Sequence, residues 1–121
     1  MATLTLYGLD NCDTCRKARN WLKRFAIEHE FIDYRAQPIE PAALRQWAQQ
    51  VGGWDKLVNR SSATWRTLPG NRKTPGSDPE WTLLIKEYPA LVKRPLVVAA
   101  DGAVSVGFTD NGFKNRFGRK T

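Results

Sequence analysis

The sequence predicts an α/β fold: a four-stranded mixed sheet with helices packed on it and a helical insertion between its two halves. Three observations point there. A strand, an amphipathic helix and a second strand follow one another within about 32 residues, the length of a right-handed βαβ unit with parallel strands. Near the C-terminus two apolar stretches flank Asp101-Gly102, the strongest hairpin signal in the chain. Between these two parts, apolar residues recur with helical spacing.

Residues 3–7 alternate Thr, Leu, Thr, Leu, Tyr, as a half-buried strand does. Gly8-Leu9-Asp10-Asn11 turns the chain, and a helix starts near Cys12. Cys15, Ala18, Trp21, Leu22, Phe25 and Ala26 fall three and four apart on one face of it, with basic residues elsewhere. Residues 31–34 make the second strand. Pro41, at a permitted first-turn position, opens a helix striped by Leu44, Trp47, Ala48 and Val51, and Gly52-Gly53 stops it. Residues 54–58 read as one more helical turn. The polar segment 59–77 is long for a loop, so a short helix is expected around residues 63–68.

Asp78 as N-cap and Pro79 in the first turn introduce Trp81, Leu84, Ile85 and Tyr88 at helical spacing, and Pro89 ends that helix. Residues 96–100 form a buried strand and residues 103–107 return antiparallel to it. The last dozen residues form a short helix around Phe113 and Phe117, with a frayed basic end. This order, β-α-β, helices, β-hairpin, α, is the thioredoxin arrangement. The helical part, about residues 40–92, is large for a plain thioredoxin and reads as an insertion.

At 121 residues the chain supports one domain, expected to span residues 1–121. Apolar residues at 41% and charged residues at 26% are a globular balance, and five Trp supply large rigid bodies for a small core. Apolar runs are too short to span a bilayer, and residues 1–7 lack the basic and apolar regions of a signal peptide. The expected location is therefore cytoplasmic, with no membrane partner. In that reducing compartment Cys12 and Cys15 are thiols that cycle rather than a permanent staple. The formal charge of +7 fits nucleic acid, an acidic protein or an anionic small substrate. Its scatter over the first helix, the middle of the chain and the tail argues against direct nucleic-acid binding.

Cys12-Asp13-Thr14-Cys15 is the sharpest chemical feature. Residues three apart on a first helical turn share a face at a separation compatible with a disulfide. The first cysteine sits where free backbone N–H groups and the positive end of the helix dipole stabilise a thiolate, the nucleophilic form. Arg16 and Lys17 are expected to favour that form and Asp13 to oppose it. Two readings of Cys15 stay open: a resolving thiol, or a small core residue beside a cysteine that reacts alone. A zinc site is not expected, because one C-x-x-C supplies two ligands and only His29 and carboxylates remain. His29 reads as a surface residue just before a strand.

Lys93-Arg94-Pro95-Leu96 is the second feature. A proline just before an apolar strand belongs at the strand's start, since it donates nothing to a ladder. Arg94 beside it offers a planar, bidentate donor to an anion held at Cys12. Arg60, in Asn59-Arg60-Ser61-Ser62, and Arg66 are further candidates.

Tyr7-Gly8-Leu9-Asp10-Asn11-Cys12-Asp13-Thr14-Cys15-Arg16-Lys17-Ala18, with Trp21-Leu22, resembles the N-terminal motif of the arsenate reductase (ArsC)/Spx family. The stretches from Leu57 to Arg60, Thr64 to Leu68, Lys93 to Leu96 and Val106 to Phe108 look like its YffB branch in particular. The resemblance implies a thioredoxin-like domain with a cis proline at Pro95 facing the catalytic cysteine. It implies Cys12 as nucleophile, with Arg60, Arg94 and Pro95 forming the substrate or glutathione site and no bound cofactor. Glutathione is then the co-substrate, directly or through glutaredoxin, and the substrate a disulfide or small oxyanion. Spx proteins instead use a C-x-x-C as a redox switch while binding RNA polymerase. Arsenate reductases carry a third anion-binding arginine just after the last hairpin, where this chain has Gly107-Phe108. That departure moves the expectation from arsenate toward glutathione-dependent thiol reduction, while Cys15 brings the redox motif closer to Spx.

Overall fold

In the computed structural model, which describes residues 4–117, the N-terminal alternation becomes strand β1 (Leu4–Gly8). Leu4 and Leu6 are buried on one face, while Thr5 and Tyr7 are half-buried on the other. Helix α1 (Asp13–Arg24) follows, then β2 (His29–Asp33), which pairs parallel with β1 and places Phe31 opposite Leu6. After the helical segment, β3 (Leu96–Val98) pairs antiparallel with β1, and β4 (Val104–Val106) pairs antiparallel with β3. The sheet order is β2-β1-β3-β4. This is the four-stranded mixed sheet expected of a thioredoxin-like fold.

The chain forms two compact units. One comprises the segments up to Asp33 and from Arg94 onward; the other is Tyr34–Lys93. In the first unit, Ala18, Trp21 and Leu22 of α1 pack on Leu4, Leu6 and Val97 together with Phe113 of α6 (Asp110–Phe117). Phe113 meets Trp21 edge-on at 5.5 Å and Phe117 at 5.2 Å, aromatic geometry that adds to simple area burial. Asp101-Gly102 makes the hairpin turn, with Gly102 at φ +87°.

The second unit contains α2 (Pro41–Val51), α3 (Trp54–Leu57), α4 (Ala63–Arg66) and α5 (Asp78–Glu87). Gly52 ends α2 in the left-handed conformation, φ +102°, as its glycine predicts. Leu44, Trp47, Leu57, Trp65, Leu84 and Ile85 are buried here. Tyr34 is buried too, and its hydroxyl donates to the Val92 carbonyl at 3.0 Å. Trp81 stacks between Trp54 (5.8 Å) and Trp65 (6.2 Å).

Several boundaries differ from the sequence reading. Helix α1 stops at Arg24, because Ala26 takes a left-handed φ of +55°; Phe25 leaves the apolar stripe and is 47% exposed. Strand β2 begins earlier than expected, at His29, because pairing with Leu4 extends it; Tyr34 turns off its end into the second unit. His29 is thus a half-buried strand residue whose Nδ1 lies 3.0 Å from the Ile27 carbonyl. The N-cap of α5 is Ser77, whose hydroxyl accepts from Glu80 N–H; Asp78 instead accepts from the Trp54 indole at 2.8 Å. The tail cations Arg119 and Lys120 lie outside the described residues.

Candidate active site around Cys12

The turn after β1 aims Cys12 at the head of α1. Leu9 carbonyl accepts from Cys12 N–H at 3.2 Å, and Asp33 at the end of β2 accepts from Asp10 N–H at 3.2 Å. Cys12 is the N-cap residue, with extended backbone (φ −97°, ψ 120°), and its sulfur accepts from the Cys15 N–H at 3.4 Å. A thiol here fills the place of the usual hydroxyl or carboxylate cap, satisfying one of the helix's unpaired amides.

Cys12 is half-buried, and burial works against its ionisation. The Cys15 amide, the Cys15 thiol and the Arg94 guanidinium, through both hydrogen bond and charge, outweigh burial and hold its pKa below the ordinary thiol value. Cys15 is only 1% exposed. Burial pushes its pKa up to about 12; the Leu9 amide opposes it, hydrogen bonding and repulsion from Cys12 add to it, and Arg94 opposes it weakly. The two cysteines are free thiols with opposite acid–base characters.

The cation that acts on Cys12 is Arg94, not Arg16 or Lys17. Arg16 is turned onto Asp13 at 3.2 Å, which engages the acid expected to oppose the thiolate. Arg94 stands at the entry to β3, which pairs with β1, the strand that leads to Cys12; its peptide bond to Pro95 is cis. Gly107 N–H donates to the Pro95 carbonyl at 2.9 Å and has φ +87°, a backbone that disfavours any side chain at this position. Phe108 beside it packs edge-on against Phe113 at 4.7 Å.

Two residues not singled out in the sequence bear on the expected site residues, each within its own unit. A β-carbon on Gly8 would lie 2.5 Å from the Cys15 sulfur and 3.3 Å from Phe31, so glycine leaves the space that Cys15 occupies. Asp55 is the second. Arg60, in the Tyr34–Lys93 unit, donates to Asp55 at 3.0 Å while its guanidinium lies 5.2 Å from the Trp65 ring. Asp55 lies in α3 and Arg60 in the loop that follows, a spacing of five that follows no helical period, so neither partner is readable in advance. Arg66 donates to the Ser61 carbonyl at 2.8 Å and braces the same loop. A cavity of about 470 Å³, walled by Tyr34, Pro38, Leu44, Ile85 and Pro89 among others, lies within the second unit; none of its walls belongs to the unit that holds Cys12.

The ArsC family model matches residues 7–115. The chain belongs to the ArsC family. Among relatives of this ArsC chain, a protein of Haemophilus influenzae is 38% identical over 114 residues, 94% of this chain and 98% of that protein. The global transcriptional regulator Spx of Bacillus subtilis is 25% identical over 118 residues, covering 97% and 88%. The YffB protein matches in structure with a TM-score of 0.83 at 32% identity, covering 93% of this chain and 97% of that one. An arsenate reductase (ArsC) related protein from Brucella melitensis gives a TM-score of 0.73 at 33% identity, covering 95% and 94%. Among the described residues of this ArsC protein, no helix is long and apolar enough to cross a membrane.

Proposed function

We propose that this protein is a glutathione-dependent thiol reductase in which the Cys12 thiolate is the nucleophile. The observation that carries the reading is the convergence of the Cys15 N–H and Arg94 on the Cys12 sulfur, which favours the reactive form. In this reading Cys12 attacks a sulfur of a disulfide, forming a mixed disulfide and releasing a thiolate. One glutathione thiolate displaces the second substrate thiol and is left bound to Cys12. A second glutathione frees Cys12 as oxidised glutathione leaves. Arg60 and Arg94 hold the glutathione carboxylates, with Pro95 lining the site, and glutaredoxin is an alternative source of electrons. No bound cofactor is needed, and the cytoplasm supplies the glutathione.

Cys12→Ser is expected to abolish glutathione-linked turnover of a small disulfide. Full activity in that variant sinks the reading. Arsenate reduction is the weaker alternative, because Gly107 and Phe108 stand where the third arginine of an arsenate site is expected; a glutaredoxin-coupled arsenate assay at background rate removes it.

A second reading is an Spx-like redox switch acting on RNA polymerase, favoured by the Cys15 thiol that donates to Cys12 and lies ready for an internal disulfide. Mass spectrometry after oxidised glutathione shows how Cys12 is resolved. A persistent mixed disulfide at Cys12 supports a reductase resolved by glutathione, and an internal disulfide fits the switch or a reductase resolved by Cys15. For the switch, capture of RNA polymerase that depends on oxidation state is also required.

A further inference from the structure

Helix α1 carries Arg16, Lys17, Arg19, Lys23 and Arg24 against one acid, Asp13, and all six are exposed. Of the chain's formal +7, this one helix therefore holds more than half. The charges that look scattered in the sequence gather because a helix brings residues three, four and seven apart into line. Arg16, Asn20 and Lys23 form one row, and Lys17 and Arg24 form another beside it. Arg16 is paired with Asp13 and Arg19 lies over Phe31 at 4.2 Å, whereas Lys17 and Lys23 have no partner among the described residues. At the far end the exposed Phe25 ring rests on Trp21 at 4.6 Å, with Arg24 beside it. The strip is about 18 Å long and begins at Cys12.

We propose that this outward face of α1 docks an acidic segment of a disulfide-bearing protein, laying the segment along the helix so that its disulfide meets Cys12. The proposal rests on the reductase reading above. Carboxylates of the segment match the two basic rows, and an apolar side chain among them meets Phe25. A nucleic acid fits less well. The strip offers a single exposed ring for stacking, and a nucleic acid brings no disulfide to Cys12. The covalent step is the exchange already written, with glutathione as reductant. The helix contributes affinity and orientation, and no bond changes on it.

The test uses two synthetic peptides with the same internal disulfide, one flanked by glutamates and the other by glutamines. At low salt the wild-type chain with glutathione is expected to reduce the acidic peptide with kcat/KM roughly ten-fold above the neutral one, a gap that closes at high salt. Lys23→Gln/Arg24→Gln removes the preference and leaves turnover of the neutral peptide unchanged. Both positions are about 17 Å along the helix from Cys12, too far to touch the sulfur, and at 0.1 M salt, where the neutral peptide is compared, beyond the Debye length of about 10 Å. Glutamine also keeps helix propensity close to that of lysine and arginine.

Binding of each labelled peptide to Cys12→Ser, read by fluorescence anisotropy, reports docking even if no turnover occurs. Equal binding of the two peptides, or an acidic preference that survives the double variant, overturns the docking proposal and leaves the reductase reading standing. Selective binding without any turnover by the wild type supports docking and overturns the reductase reading. A single-stranded RNA that binds through Lys23 and Arg24 while the acidic peptide does not bind overturns the proposal in favour of nucleic acid.

Discussion

The sulfur of Cys15 occupies the space that a side chain on Gly8 would need: a β-carbon there would sit 2.5 Å from it. One glycine at the end of β1 thus sets how deeply the second cysteine is buried, and burial is the main reason its proton is held so tightly.

Gly8→Ala is expected to overpack this contact and cost about 1–3 kcal/mol of stability. Chemical denaturation measures it. Cys15→Ala in the same chain should recover most of the loss, and a purely additive double variant would show that the contact is not the cause.

The pH dependence of Cys12 alkylation should show a midpoint below that of an ordinary thiol. Arg94→Gln should move that midpoint upward, because it removes both a hydrogen bond to the sulfur and a nearby positive charge. Linkage then fixes the sign for stability. A thiol with its folded pKa depressed stabilises the fold above its unfolded pKa, and that contribution is lost as pH falls through the folded value. Arg94→Gln should therefore flatten the stability profile on the alkaline side of Cys12's titration.

Cys15 runs the other way. Its pKa is pushed up from an ordinary value of 9.0 to about 12. Its contribution is complete below the unfolded value and is lost as pH rises between the two. Wild type should lose more stability than Cys15→Ala across that alkaline range, as measured by urea midpoints. Equal losses would contradict the burial of this thiol.

Arg60→Ala is expected to raise KM for glutathione about ten-fold with little change in kcat, as loss of an ionic contact to a carboxylate does. Asp55→Asn should lower KM, since the incoming carboxylate no longer competes for the guanidinium at 3.0 Å. Neither change should cost more than about 1 kcal/mol of stability, because the pair is exposed, with side chains 52% and 70% accessible. Intrinsic tryptophan emission, to which Trp65 beside Arg60 contributes, gives a binding signal when compared with Trp65→Phe.

Tyr34→Phe is expected to cost about 1–3 kcal/mol, because the buried Val92 carbonyl loses its donor at 3.0 Å. Thermal unfolding followed by near-ultraviolet circular dichroism reads the second unit, where three tryptophans stack.

What could be read in the sequence was what depends on local spacing. The βαβ unit, the start of α1 at Cys12, Pro41 in the first turn of α2 and the left-handed Gly52 all follow from rules acting within a few residues. The cysteine pair and Arg94 were visible because motif and strand position fix them. What escaped depends on contacts between distant segments. Tyr34 looked like the end of a strand, yet its hydroxyl is committed to a carbonyl 58 residues away. Gly8 looked like turn punctuation, yet it is a packing requirement of Cys15. Along the chain the charge on α1 reads as scatter; only the helix gathers it onto one surface. Arg16 sat close enough in sequence to act on Cys12, but a nearer acid claimed it.

The sulfur of Cys12 is also the cap of α1, and this ties its chemistry to the backbone. Any covalent partner on that sulfur weakens the acceptor for the Cys15 N–H, so the first turn loosens whenever the thiolate is spent and tightens when it is restored. The helix end is in this sense a gauge of the redox state, readable at a single amide. Protection of the Cys15 N–H against hydrogen exchange should fall on glutathionylation and return on reduction, while the amides of Trp21 and Leu22, deep in the core, stay still.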